Sequence, residues 1–167
     1  MRRDIALVAA VMLAGSPLRA QSTGRRNDSV RHDTAFTAMQ ERGKLAMGID
    51  QYTSTHHFDA LPAGGRIELQ RDVDDSAGVA QIRAHIREIA RAFKEGDFST
   101  PAMVHLKEVP GTRIMAQRRA AITYEPRDLP RGAELLIRTD DPVARQAIHD
   151  FMAFQRGEHH ASGMKPN

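Results

Sequence analysis

The spacing of apolar residues along the chain predicts three helices. A period of three to four residues runs from Thr34 to Met47, from Ser76 to Glu95, and again after Asp141. Asp75 or Ser76 can cap the second helix and Gly96 can end it, while Asp141 can cap the last helix. The stripe that the last helix is expected to bury is Val143, Ala147, Ile148, Phe151 and Phe154.

Alternating apolar and polar residues, interrupted by turn residues, predict two hairpins. The first joins Tyr52–Leu61 to Arg66–Arg71 across Pro62–Gly65, which would place Leu61 opposite Arg66 and His57 opposite Gln70. The second joins Ala120–Glu125 to Ala133–Thr139 around a Leu-Pro-Arg-Gly turn.

Between the second helix and the second hairpin lies a short apolar segment, Ala102–Leu106, which is expected to form a further strand carrying His105. The sequence Val-Pro-Gly-Thr at 109–112 is typical of a type II turn. Strands joined by hairpins rather than by helical crossovers indicate an α+β fold. We therefore predict an antiparallel sheet built from two hairpins, with three helices packed mainly on one face.

The N-terminus has the three parts of a secretory signal peptide. A basic start precedes an eleven-residue apolar run, Ile5–Gly15, and small residues lead to a cleavage site near Ala20. The run is shorter than the roughly 20 residues that cross a bilayer, so no permanent membrane anchor is expected. The expected organisation is a signal peptide over 1–20, a flexible polar arm over 21–33, one domain over 34–158 and a disordered tail over 159–167. The protein is expected in the periplasm or outside the cell.

Charge and composition restrict the classes of partner and the kinds of site that the protein can have. Removing residues 1–20 takes away three arginines and one aspartate, so the formal charge falls from +3 to near +1. Acidic residues are interspersed with the basic ones, so we expect no nucleic-acid partner. The sequence does not indicate a particular protein partner. The chain has no cysteine, which excludes disulfides, thiolate metal sites and a cysteine nucleophile.

Histidine is the main chemical resource of the chain, with eight residues. Imidazole binds copper and zinc well, and neither metal requires a thiolate. We therefore expect an exported metal-binding protein for copper or zinc, with candidate ligands His56, His57, His85 and His105. His56 and His57 are adjacent on one strand and should point to opposite faces, His56 with Phe58 toward the core. A site would therefore combine one of them with a residue from another element, such as His105, His85 or Met47.

Three alternatives remain open. Each histidine can instead be a packed or solvated residue of a structural or interaction module with no small ligand. A noncovalent haem could be held by one or two histidines. A small hydrolase or isomerase could use His105 or His57 as a base with Asp50 or Asp59 as its orienting carboxylate. Because the chain lacks zinc-protease and serine-hydrolase motifs, no catalytic residue is assigned.

Five blocks of the sequence resemble a family of small exported bacterial proteins of uncharacterised activity. The blocks lie within about residues 36–160. The resemblance implies an exported single domain and no mechanism. Such sequences are sometimes labelled aspartate carbamoyltransferase, but that enzyme has two α/β domains and a Ser-Thr-Arg-Thr phosphate motif that this chain lacks. The blocks read MGIDQYTSTHHF, LPAGGRIELQ, IRAHIREIARAFKEGDFSTPAMVH, VPGTRIMAQRR and IHDFMAFQRGEHH.

Overall fold

The computed structural model describes residues 34, 36–46, 48 and 53–159. The signal peptide predicted over 1–20, the arm over 21–33 and the tail beyond His159 lie outside the described residues, as do Met47 and Asp50. The elements in chain order are α1 (36–46), β1 (Ser54–Leu61), β2 (Gly64–Arg71), α2 (Ser76–Glu95), α3 (Ser99–His105), α4 (Thr112–Gln117), a 3₁₀ turn (Arg119–Ala121), β3 (Thr123–Leu129), β4 (Gly132–Arg138) and α5 (Pro142–Glu158).

The four strands form one antiparallel sheet in the order β1-β2-β4-β3. Each hairpin supplies a neighbouring pair, and β2 and β4 join the two hairpins at the centre. The helix α5 packs against β1 and β2, and α2 packs mainly against β3 and β4. The core lies between these helices and the sheet, where side chains such as Leu135, Ile82 and Ile148 are fully buried. The α+β fold predicted from the sequence is confirmed.

The caps predicted for the two long helices are confirmed. The Asp75 side chain accepts a hydrogen bond from the Gly78 amide at 3.0 Å, which satisfies one free amide of the first turn of α2. Gly96 ends the helix with a left-handed φ of 84°. In α5 the Asp141 side chain accepts from the Val143 and Ala144 amides.

The stripe predicted to be buried in α5 is partly wrong. Ala147, Ile148 and Phe151 are buried as expected, but Val143 in the exposed first turn is 48% exposed. Phe154 is only partly buried. The buried face contains Ala144, Met152 and Gln155 in their place.

The register predicted for the first hairpin is wrong by two residues. Leu61 pairs with Gly64 rather than Arg66, so the turn contains two residues, Pro62 and Ala63, and His57 lies opposite Glu68. Gly64 has a φ of 145°, and a Cβ there would collide with the Ile137 carbonyl oxygen on β4. A shift of two residues preserves the side-chain faces, because strand side chains alternate with a period of two.

The predicted strand Ala102–Leu106 is also wrong, because this segment belongs to α3. The Asp97 side chain accepts from the Ser99 amide at 2.8 Å, and Pro101 falls in the first turn, where a missing N–H costs nothing. Leu106 ends the helix with a φ of 53°. The described residues therefore contain five helices and four strands, instead of three helices and five strands.

Two further features of the fold bear on the predictions. The predicted turn at 109–112 is confirmed, since Gly111 has a φ of 84° and the Thr112 amide donates to the Val109 oxygen at 3.2 Å. In the part of the chain that the structure describes, none of the helices combines the length and apolar character needed to cross a bilayer.

Candidate functional site

A pocket of about 80 Å³ opens between the sheet and the helices α2, α3 and α5. Most of its lining is apolar, and Phe58, Ile86, Val104 and Phe151 contribute to the wall. The remaining lining side chains carry nitrogen or oxygen. They are His56 from β1, His85 from α2, Thr100 and His105 from α3, Gln155 from α5 and His159 directly after α5.

His56 enters the pocket because it shares a strand face with Phe58, as the alternation of β1 predicts. The two rings stack, with centroids 6.3 Å apart and an angle of 12° between their planes. The Nε2 atom of His56 is buried and has no hydrogen-bond partner among the described residues. The other ring nitrogen, Nδ1, therefore makes the hydrogen bond to the Ser54 backbone.

The pKa of His56 is lowered to about 4, first by burial and second by repulsion from His85. The hydrogen bond to the Ser54 backbone acts in the opposite direction and raises the pKa, as a bond donated by the ring to a carbonyl does. His56 is therefore neutral at pH 7. Its hydrogen is on Nδ1, and its buried Nε2 carries a lone pair.

His105 presents a second buried lone pair. Its Nε2 lies 2.9 Å from Oε1 of Gln155, an oxygen that can only accept, so Nε2 carries the hydrogen. Its Nδ1 is buried without a hydrogen-bond partner among the described residues. The nearest carboxylate oxygen in an ion pair, Oε2 of Glu158, is 3.8 Å from Nδ1, beyond hydrogen-bond distance. Burial lowers the pKa of His105, against the bond to Gln155 and the attraction of Glu158, which raise it.

His159 brings a third imidazole into contact with the other two. It follows α5, with its ring centroid 5.1 Å from that of His105 and 5.9 Å from that of His56. Its ring is almost perpendicular to His105 and nearly parallel to His56. The sequence predicts a disordered tail from this residue onward, and His159 is not among the predicted ligands. The signal that could have found it is its spacing of four residues from Gln155 on the buried face of α5.

Of the two remaining predicted ligands, His85 lines the pocket and His57 does not. His85 is buried on α2 and lines the pocket, and burial lowers its pKa against an opposing attraction from Glu88. His57 lies on the opposite face of the sheet, opposite Glu68 on β2, and does not line the pocket. The fold therefore gathers His56, His85 and His105 and leaves His57 apart.

The metal-ligand spacing expected for three converging imidazoles is not present. Within the described ranges, no group of three or more His, Asp or Glu side chains is arranged to hold a metal ion. The ring of His159 contacts those of His56 and His105, but its near-parallel stacking on His56 keeps the rings from pointing at one centre. What the pocket does present is two neutral imidazoles, each with a buried lone pair.

Of the two carboxylates proposed for acid–base chemistry, Asp50 lies outside the described residues and Asp59 does not line this pocket. Asp59 lies on the same sheet face as His57, and its side chain is 1% exposed. It accepts a hydrogen bond from Nε of Arg66 at 2.9 Å. Another histidine, His149, donates from Nε2 to the Leu61 carbonyl at 2.9 Å and so ties α5 to the end of β1. The pair of Asp59 with a pocket histidine that a hydrolase would need is therefore not formed.

Comparison with protein-family models, with curated proteins and with solved structures gives no match. The resemblance to a family of exported proteins stays a prediction. The chemistry of the pocket accordingly has to be inferred from its own residues.

Proposed function

We propose that the protein binds one copper or zinc ion in the histidine pocket, through Nε2 of His56 and Nδ1 of His105, with His159 as the third ligand. One observation carries this proposal: two buried imidazole nitrogens without hydrogen-bond partners among the described residues line the same pocket. Buried polar atoms in folded proteins nearly always have partners, and those that lack one call for a ligand, a water or an ion.

The hydrogen bonds made by the other ring nitrogens support a metal in particular. A histidine that binds a metal usually donates its second ring N–H to a backbone carbonyl, an amide or a carboxylate, which fixes the ring and its lone pair. His56 does this with the Ser54 backbone and His105 with Gln155. Both rings are thus held in the neutral form that a metal requires.

The third ligand requires a change in one side chain. His159 lies at the end of α5, in ring contact with both other imidazoles. Metal binding by all three histidines therefore requires the ring of His159 to turn out of its stack with His56. His85, which lines the same pocket from α2, is positioned to contribute next.

A second candidate ligand is a small apolar molecule with a hydrogen-bond donor, such as a phenol or an alcohol. The largely apolar lining favours it, since burying apolar surface supplies binding energy while one donor satisfies His56 or His105. The cavity of about 80 Å³ limits such a ligand to a few heavy atoms. A structural role without a small ligand requires another partner for the two lone pairs, such as a buried water molecule.

The test is calorimetric titration of the untagged protein with Zn(II) and, anaerobically, with Cu(I). We expect one ion per chain, and a loss of affinity of at least ~10-fold in both His56→Ala and His105→Ala. His57→Ala is the matched control, because His57 is the neighbour of His56 on the other sheet face. Circular dichroism confirms that each variant is folded. Absence of binding, or binding that both variants retain, would refute the metal proposal and direct attention to the small apolar ligand.

A further inference from the structure

We propose that the histidine pocket selects small uncharged molecules that donate a hydrogen bond, and that Nε2 of His56 is the atom that selects them. Short-chain alcohols and primary amides belong to this class, whereas carboxylates and molecules that only accept hydrogen bonds do not. This inference rests on the second candidate ligand of the proposed function and names the group that such a ligand must carry. It concerns the metal-free pocket, so its test and the test of metal binding can fail independently.

The free ring nitrogen of His56 can only accept a hydrogen bond. The Ser54 backbone binds the other ring nitrogen, so the hydrogen of the neutral ring is on Nδ1. Nε2 therefore carries a lone pair, and it is buried without a hydrogen-bond partner among the described residues. A ligand with an O–H or N–H group satisfies this atom, whereas a ketone or an ether places its own lone pairs against it. The pocket should therefore distinguish donors from acceptors.

His105 has a lone pair of the same kind, but a water molecule can satisfy it. Its Nδ1 is buried without a hydrogen-bond partner among the described residues, and Oε2 of Glu158 lies 3.8 Å away. The Glu158 side chain is 41% exposed, so water reaches this carboxylate from solvent. One water molecule placed between two acceptors at this distance can donate to both of them. Of these two histidines, His56 is therefore the one that a bound ligand has to satisfy.

The lining gives an anion no counter-charge. Among the described residues that line the pocket, none is Lys or Arg. Burial and repulsion from His85 lower the pKa of His56 to about 4, so its ring takes up no proton at neutral pH. A carboxylate would therefore enter largely apolar surroundings with an unpaired charge, which is costly. The pocket should exclude carboxylates for this reason.

The size and the wall of the pocket define the rest of the ligand. A cavity of about 80 Å³ is roughly half as large as the ~150 Å³ apolar cavity that holds benzene, so it takes a molecule of about three to five heavy atoms. The apolar part of such a molecule would replace water against side chains such as Phe58, Ile86 and Phe151, which favours binding. Because ligands of this size bury little surface, we expect dissociation constants in the millimolar range.

A set of probes with the same number of heavy atoms tests the selection. The alcohol 2-propanol and the amide acetamide can donate, acetone can only accept, and acetate is an anion. Each probe is titrated into the untagged full chain, labelled with nitrogen-15 in histidine and freed of metal, while NMR follows the ring nitrogens. We expect 2-propanol and acetamide to shift Nε2 of His56 saturably and to bind at least ~10-fold more tightly than acetone, with no saturable shift from acetate. Binding of acetone or acetate as tight as that of 2-propanol, or no shift of His56 with any probe, would overturn the inference.

Two ring substitutions, followed through backbone amide shifts, test the assignment to His56. His56→Phe keeps an aromatic ring in the pocket and removes Nε2, so 2-propanol and acetone should then bind with affinities within ~2-fold of each other. His105→Phe should retain the preference for 2-propanol, and His57→Phe on the other sheet face is the matched control. Circular dichroism confirms that each variant is folded. A preference that His56→Phe retains, or that His105→Phe alone abolishes, would overturn the assignment.

Discussion

At the scale of single residues, the central feature of the pocket is the two imidazole nitrogens that lack a hydrogen-bond partner within the described part of the chain. His56 illustrates how they arise, because a strand places it beside Phe58 in the core while the Ser54 backbone binds its other nitrogen. The pKa of His56 is lowered to about 4 by burial and by His85. The neutral ring is thus a property of the fold, and it has a consequence for stability.

We predict that the metal-free protein loses stability as the pH falls from 7 to 4. The unfolded chain takes up a proton on His56 near its ordinary pKa of 6.5, whereas the folded chain does so only near 4, so acid favours unfolding between these values. The loss is about 3 kcal/mol for this group. Burial lowers the pKa of His85 and His105 too, so they act in the same direction.

Urea unfolding with a metal chelator at pH 7, 5.5 and 4.5 measures this dependence. His56→Gln should reduce this dependence and leave the part contributed by His85 and His105, whereas His57→Gln on the other sheet face should leave it as it is. A stability that stays constant over this range in the wild-type protein would contradict the burial of a neutral His56.

A second prediction at the residue scale concerns Gln155. Its Oε1 accepts the hydrogen of His105 Nε2 and thereby directs the lone pair of Nδ1 toward the pocket. Gln155→Leu should weaken metal binding about 10- to 100-fold without removing a ligand, as loss of such an orienting bond typically does. Gln155→Glu retains an acceptor and should retain most of the affinity. Equal losses in the two variants, measured by the calorimetric titration, would refute this positioning role.

At the scale of elements, the sequence predicts the ends of a helix best where residues within one turn determine them. The helix α2 begins after Asp75 and ends at Gly96 as expected, because a capping carboxylate and a left-handed glycine act within one turn of the chain. The sequence prediction for Ala102–Leu106 is wrong because four of its five residues are apolar, a pattern that fits a short strand as well as a helical turn. The turn in which Asp97 accepts from the Ser99 amide and the position of Pro101 in the first turn favour a helix.

The same helix provides a test of backbone strain. Leu106 ends α3 with a φ of 53°, which is unfavourable for a residue with a Cβ, and its side chain is 71% exposed. Leu106→Gly should therefore stabilise the protein by about 0.5–1 kcal/mol, the strain relieved exceeding the entropy lost. Leu45→Gly, at an 85% exposed position inside α1, should destabilise it by about 1 kcal/mol. Thermal unfolding shows whether each variant is more or less stable than the wild-type protein. A destabilised Leu106→Gly variant would contradict the assignment of strain.

At the scale of the whole molecule, the pocket is assembled from parts that are distant in the sequence. His56 on β1 and His159 after α5 are about one hundred residues apart along the chain. The sequence could predict that His56 faces the core, since that follows from alternation within one strand. It could not predict which histidines meet, because that depends on the order β1-β2-β4-β3 and on the packing of α5 against β1. For this reason His159 lines the pocket, whereas the predicted ligand His57 does not.

The predicted signal peptide leads to a prediction about export. The basic start and short apolar run of residues 1–20 are expected to direct export and to be cleaved near Ala20. The intact mass of protein recovered from the periplasmic or extracellular fraction should then correspond to a chain beginning at Gln21. Recovery of the full-length chain in the cytosol only would contradict export.

The most direct measurement for the central claim is a long-range proton–nitrogen NMR spectrum of the protein labelled with nitrogen-15 in histidine. Without metal, we expect the hydrogen of His56 on Nδ1 and that of His105 on Nε2. One equivalent of Cu(I), which is diamagnetic, should then shift Nε2 of His56 and Nδ1 of His105, while His57 and His149 remain in place. The opposite tautomers, or shifts confined to histidines outside the pocket, would contradict the account.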